Sequence, residues 1–206
     1  MADSEFILDF GPYKIELNKV IQFFKEDLKD DWFQDPLLFN DRITKKTITE
    51  YFEQNIQINQ GVFTPIPRQI MNVPKKGATL RYSLEMCFFD RIAFHAFGIT
   101  LIEHFDKLIN RRVFNHRLDE QSFQKRKPRW LFLNAIQQWK KYEEFVRVDA
   151  KDKTILCLDL LNYYENIRIA RLEEILLDCL NKIKLSSSEM AKIRFCISSV
   201  CNCLKV

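Results

Sequence analysis

The sequence predicts an α+β fold, predominantly helical, and three observations point to it. Six segments read as helices, at about 14–30, 44–58, 88–110, 130–146, 168–182 and 187–204. Between the second and third lie two strand-like runs, Arg68–Val73 and Ala78–Leu84, separated by Pro74 and a Lys76-Gly77 turn, which together predict a β-hairpin near 66–86. A short run of β-branched and apolar residues at 153–160 reads as a buried strand.

In chain order, the first 60 residues carry twelve acids and seven bases, and the rest of the chain sixteen acids and twenty-five bases. The acidic part is not expected to meet phosphates. In the third helix Phe88, Phe89, Ile92, Ala93, Ala96, Phe97, Leu101, Phe105 and Leu108 recur with few polar gaps, which predicts burial on most faces. Asp90 and Arg91 fix its start, either as a structural ion pair or as a nucleic-acid contact, while His95 and His104 read as packing or surface residues. The fourth helix sets Trp130, Leu133, Ile136, Trp139 and Tyr142 along one side. In the fifth, Ile169, Leu172, Ile175, Leu176, Cys179 and Leu180 make a stripe suited to packing beneath a sheet. Ser186-Ser187-Ser188-Glu189 starts the last helix, because a serine hydroxyl can take up an orphan amide there.

An apolar content of 47% over 206 residues is enough for a real core, and the expected divisions are 1–64, 65–150 and 151–206. No apolar run is long enough to span a membrane, and the start lacks the basic-then-apolar pattern of a signal peptide. A membrane partner is therefore not expected. Cys87, Cys157, Cys179, Cys196, Cys201 and Cys203 are unpatterned, suit a reducing cytoplasm, and read as core thiols where they fall on the last helix.

Two features carry chemistry. Asp159 ends the apolar run at 153–160, where a carboxylate is expensive to desolvate unless it meets a cation; capping the following helix is the other reading. Between Lys107 and Arg129 there are eight bases, Lys107, Arg111, Arg112, Arg117, Lys125, Arg126, Lys127 and Arg129, against Asp119 and Glu120. Such a run is either a solvated face or a seat for a nucleic-acid backbone, and Phe114, Phe123 and Trp130 interleave with it, to stack on a strand or to point inward.

The segment Asp159-Leu160-Leu161-Asn162-Tyr163-Tyr164-Glu165-Asn166-Ile167 resembles the first palm motif of reverse transcriptases, the RNA-directed DNA polymerases. Upstream, Pro74-Lys75, Gly77 and Arg81 match in order the hairpin of the reverse transcriptase fingers, and Phe88-Phe89-Asp90-Arg91-Ile92-Ala93 and Val113-Phe114-Asn115-His116-Arg117 match two further segments. The resemblance spans roughly 68–180 and implies fingers with a partial palm. It makes Asp159 the catalytic metal ligand, with the backbone carbonyl of Leu160 helping, for Mg²⁺ or Mn²⁺ held in the complete enzyme. It assigns nucleotide binding to Lys75, Arg81, Leu160 and Tyr164, with Lys75 and Arg81 on the triphosphate and Tyr164 against the sugar. The implied partners are an RNA or DNA template and primer, deoxynucleoside triphosphates and a second polypeptide completing the palm. Asp31-Trp32-Phe33-Gln34-Asp35-Pro36 further resembles the leader of bacterial defence-associated and abortive-infection members.

One departure from the family matters. After Asp159 the acids are Glu165, Glu173, Glu174, Asp178 and Glu189, none in an aromatic-x-Asp-Asp turn, and no glycine follows Gly98. The second catalytic carboxylate motif is missing, so these residues alone are not expected to extend a primer. The alternative expectation is a non-catalytic module with a fingers-like fold that binds RNA or a partner.

Overall fold

The structure, a computed structural model, describes residues 7–10, 13–28, 44–57, 62–75, 79–125, 130–156, 158 and 166–205. The fold is α+β and mostly helical, and each small sheet has two strands.

Strands β1 (Ile7–Phe10) and β2 (Tyr13–Glu16) pair antiparallel, Phe10 opposite Tyr13, with Gly11-Pro12 between them in the sequence. The helix expected from about residue 14 therefore starts later, as α1 (Leu17–Asp27). Lys14 and Glu16 are exposed and Ile15 is buried, a period of two that pairing with β1 exploits. Helix α1 buries Leu17, Val20, Phe23 and Phe24 at helical spacing.

Helix α2 (Lys45–Asn55) begins in a reciprocal cap: Thr44 Oγ1 accepts from the Thr47 amide at 3.1 Å, and Thr47 Oγ1 accepts from the Thr44 amide at 3.1 Å. It buries Ile48 and Phe52, one turn apart, and leads into the short pair β3 (Ile56–Gln57) and β4 (Val62–Phe63). The expected hairpin follows as β5 (Gln69–Lys75) and β6 (Thr79–Glu85).

The core is organised on α3 (Phe88–Phe105), which packs against α1, α2 and the last helix. Its Phe97 meets Phe63 at 5.3 Å, Phe195 at 5.5 Å and Phe52 at 6.1 Å between ring centroids, all four rings buried. Burying each such side chain contributes about 2–3 kcal/mol, so this cluster fixes how the N-terminal and C-terminal helices meet. Leu8 to Phe63, Ile92 to Phe123 and Leu180 to Cys203 all contribute to one hydrophobic cluster.

After α3 a 3₁₀ turn (Asp106–Leu108), a loop and α4 (Glu120–Phe123) lead to α5 (Ala135–Asp149). The expected helix from residue 130 is delayed because Phe132 bridges to Leu118 in an extended pairing, and Asn134 Oδ1 then caps α5 by accepting from the Gln137 amide at 3.0 Å. Helix α6 (Ile169–Leu180) packs on α7 (Ser187–Leu204), whose N-terminus has the expected cap: Ser186 Oγ accepts from the Glu189 amide, and the Glu189 carboxylate accepts from the Ser186 amide at 3.1 Å.

The strand expected at 153–160 does not appear in its described part. Residues 154–156 and 158 belong to no strand, and Leu156 and Leu158 are 77% and 82% exposed. An extended segment is held as a strand by a neighbour's ladder, and none of the described strands lies alongside this one.

The cysteines of α7 are core thiols. Cys196, Cys201 and Cys203 are buried and free, and burial pushes them up to about 12, 11 and 12 respectively, which keeps them unreactive. Arg68 ties the entry of the β5–β6 hairpin to the end of α7, its Nε donating to the Lys205 carbonyl at 3.3 Å and its Nη2 to the Leu204 carbonyl. No described helix is long and apolar enough to cross a membrane.

Candidate nucleic-acid interface

The loop between α3 and α4 is built by its own polar residues. Asn110 Oδ1 accepts from the Arg112 amide at 2.9 Å, and the Val113 amide donates to the Asn110 carbonyl at 2.9 Å. This Asx-capped turn sets Arg111 and Arg112 at its two corner positions, both exposed. The Arg112 guanidinium lies 5.6 Å from the centre of the Phe145 ring of α5, a cation–π distance.

Arg117 behaves differently. Its Nε and Nη2 donate to the two carboxylate oxygens of Asp106, each at 3.0 Å, and Nη2 reaches the Asp106 carbonyl at 3.2 Å. Its Nη1 lies 3.4 Å from the Val113 carbonyl, and the Leu118 amide donates to Asp106 Oδ1 at 3.0 Å. The hydrogen bonds from Arg117 hold the Asp106 carboxyl below the usual carboxylate range despite its burial. Arg117 thus closes the loop onto the end of α3, and its fork has little left for a phosphate. His116, at φ 53°, turns the chain just before it, with its ring edge-on to Phe132 at 5.2 Å.

The loop rests on α5 through aromatic rings. Phe114 meets Tyr142 at 5.8 Å and Phe145 at 5.5 Å, and Trp139 meets Tyr142 at 5.4 Å. The side of α5 carrying Ile136 and Trp139 faces outward, with Trp139 61% exposed. Trp130 is also exposed, Phe114 is half-buried, and Phe123 is buried, so of the three interleaved aromatics only Trp130 faces solvent. Lys107, Lys125, Lys140 and Lys141 are exposed. Arg126, Lys127 and Arg129 lie outside the described residues.

In the β5–β6 hairpin Lys75 pairs with Thr79 and Arg81 with Val73, so the two basic positions sit diagonally on facing strands. Asp159, Leu160 and Tyr164 lie outside the described residues. Among the described residues no three His, Cys, Asp or Glu side chains converge as a metal site would require.

Asp90 is a structural anchor. It is fully buried in the first turn of α3, where its carboxylate accepts from the Tyr51 hydroxyl and, at 2.9 Å, from the Ile66 amide. Desolvation raises the Asp90 carboxyl, and burial beside it raises the Tyr51 phenol. Arg91, its neighbour, pairs with Glu85 at 3.6 Å and lies 5.7 Å from the Phe24 ring. His95 packs edge-on against Phe24 at 5.4 Å, in keeping with a packing histidine. His104 borders a cleft of about 370 Å³ together with Lys14, Glu16, Lys19, Glu103 and Lys192, whose mixed charges favour neither sign.

The exposure of Trp139 and the turn built by Asn110 were not singled out from sequence. The available signals were the Asn-Arg-Arg triplet, a turn-former followed by two solvent-seeking residues, and the pair Lys140-Lys141 directly after Trp139. No protein-family model, no curated protein and no solved structure matches the chain.

Proposed function

We propose that the chain is a reverse transcriptase-like polypeptide, a fingers-like part with the start of a palm, that serves RNA-directed DNA synthesis by two-metal nucleotidyl transfer. In this reading Asp159 and the Leu160 carbonyl bind Mg²⁺ or Mn²⁺, Lys75 and Arg81 hold the triphosphate, and Tyr164 faces the sugar. The divalent cations, when bound, would align the primer hydroxyl with the triphosphate. A further polypeptide segment would supply the second carboxylate motif. The leader at Asp31–Pro36 adds a role in antiviral defence, and the free thiols of α7 fit a cytoplasmic location.

The observation that carries the reading is the β5–β6 register. Two cations set diagonally on facing strands repel in isolation and gain when a polyanion lies between them, with arginine suited to bidentate phosphate contact and lysine acting as a point charge. The test is Asp159→Asn in the complete or reconstituted enzyme, where deoxynucleotide addition should fall by at least about a hundredfold. Unchanged synthesis would defeat the proposal.

A second reading has its own support. Residues 154–156 and 158 are exposed and outside any strand, unlike a buried palm strand, which favours a non-catalytic module that binds nucleic acid through the basic loop. For that module Asp159→Asn is silent and charge reversal at Arg111 and Arg112 abolishes binding.

A further inference from the structure

We infer that the outward side of α5 is a stacking platform for unpaired bases, so that this face takes single-stranded nucleic acid in preference to duplex. The inference rests on the reading that the basic loop binds nucleic acid and names the form that it binds.

Four rings follow one another along the surface: Trp139 to Tyr142 at 5.4 Å, Tyr142 to Phe114 at 5.8 Å, and Phe114 to Phe145 at 5.5 Å, with the Arg112 guanidinium 5.6 Å from Phe145 at the far end. The series grades from half-buried to open, Tyr142 being 39% and Trp139 61% exposed. Ile136, one turn before Trp139, is exposed as well. The inner rings are held by the loop while the outermost offers its surface.

Large aromatic surface in water is unfavourable unless something covers it, and the flanking charges say what kind of occupant fits. Arg111 and Arg112 stand at the turn beside these rings, and Lys140 and Lys141 directly follow Trp139. Of the nearby acids, Glu144 is paired with Arg147, while Glu143 accepts from the Trp139 indole N–H at 2.8 Å and keeps its charge, set against those of Arg111, Arg112, Lys140 and Lys141. That bond satisfies the indole's only donor, leaving Trp139 its ring face for contact. Cations beside open rings suit a chain that alternates phosphates with planar bases. In a duplex those base faces are already stacked on one another.

The test uses the full chain with Trp32→Phe and Trp130→Phe, which leaves Trp139 as the sole tryptophan. Titration at low salt with a thymidine oligonucleotide of about a dozen residues should quench its emission, and a duplex of equal length should bind more weakly. Trp139→Ala should raise the dissociation constant for the single strand about 5- to 100-fold, while Trp139→Phe should recover most of the affinity. Since Trp139 is largely solvent-exposed, both variants should melt as the parent does. Equal affinity for duplex and single strand, or unchanged affinity in Trp139→Ala, would overturn the inference and leave this face to a protein partner. No binding of either form by the parent protein would defeat the basic-loop reading and the platform with it, whereas single-strand binding that is indifferent to Trp139→Ala defeats the platform alone.

Discussion

Replacing Arg117 by Ala separates a structural arginine from a phosphate-binding one. The variant leaves the Asp106 carboxylate, nearly buried, with the Leu118 amide at 3.0 Å as its one remaining partner among the described residues. Removing one partner of a fully buried ion pair costs about 3–5 kcal/mol, whereas an exposed pair contributes about 0–1 kcal/mol. With the Arg117 side chain 21% exposed, the pair lies between these limits, and a loss of about 2 kcal/mol is expected. For a chain of this length that lowers the thermal midpoint by about 4–8 °C. The effect also has a pH signature. Asp106 titrates lower in the folded protein than in the unfolded chain, so its contribution is fully present above the ordinary carboxylate value of about 4 and is lost as the pH falls through its folded value. The gap between parent and Arg117→Ala should therefore be constant near neutrality and shrink in acid. Thermal melts at several pH values, followed by circular dichroism, read both quantities. An unchanged midpoint, with nucleic-acid binding weakened and less salt-dependent, would refute the reasoning and return Arg117 to the phosphate contacts.

Four further outcomes are expected from the same melts. Tyr51→Phe deletes a donor to the buried Asp90 carboxylate and should cost about 2 kcal/mol. Because Asp90 is raised in the fold, its charged form opposes folding, and stability gained from its protonation should fade as the pH rises from about 4 through its folded value; Asp90→Asn should remove that dependence. Gly98→Ala should stabilise by about 0.5–1 kcal/mol, since a Cβ at this position in α3 meets nothing within 4 Å and alanine is the better helix former. Ser186→Ala should cost about 1 kcal/mol by removing the α7 cap.

Much of the helical scaffold was legible because local chemistry and tertiary packing agree there. The apolar density of α3, the serine cap of α7 and the strand-like runs of the β5–β6 hairpin each point one way, and the structure follows them. The β1–β2 hairpin went unread because an alternation as short as Lys14-Ile15-Glu16 is also compatible with a first helical turn, and only pairing with residues 7–10 decides it. The strand expected at 153–160 shows the opposite limit: Thr154, Ile155, Leu156 and Leu158 have strand-like composition, yet composition supplies no hydrogen-bonding neighbour. In the basic loop a count of positive charges could not separate Arg117 from Arg111 and Arg112. The difference is made by Asp106, eleven residues upstream, which the end of α3 brings within 3.0 Å of the guanidinium. Likewise the side of α5 bearing Ile136 and Trp139 reads identically in sequence whether it faces a core or solvent.

The proposal shared by both readings, that the basic loop and α5 engage a nucleic-acid backbone, is tested most directly by the salt dependence of binding. The dissociation constant of the full chain for a labelled single strand would be measured across salt concentrations, for the parent and for a variant carrying Arg111→Ala and Arg112→Ala. If each arginine neutralises one phosphate, the slope of log affinity against log salt should become shallower by about 1.4, roughly 0.7 for each phosphate left unneutralised on a single strand. An identical slope in the two proteins, or no binding by the parent at low salt, would contradict the account.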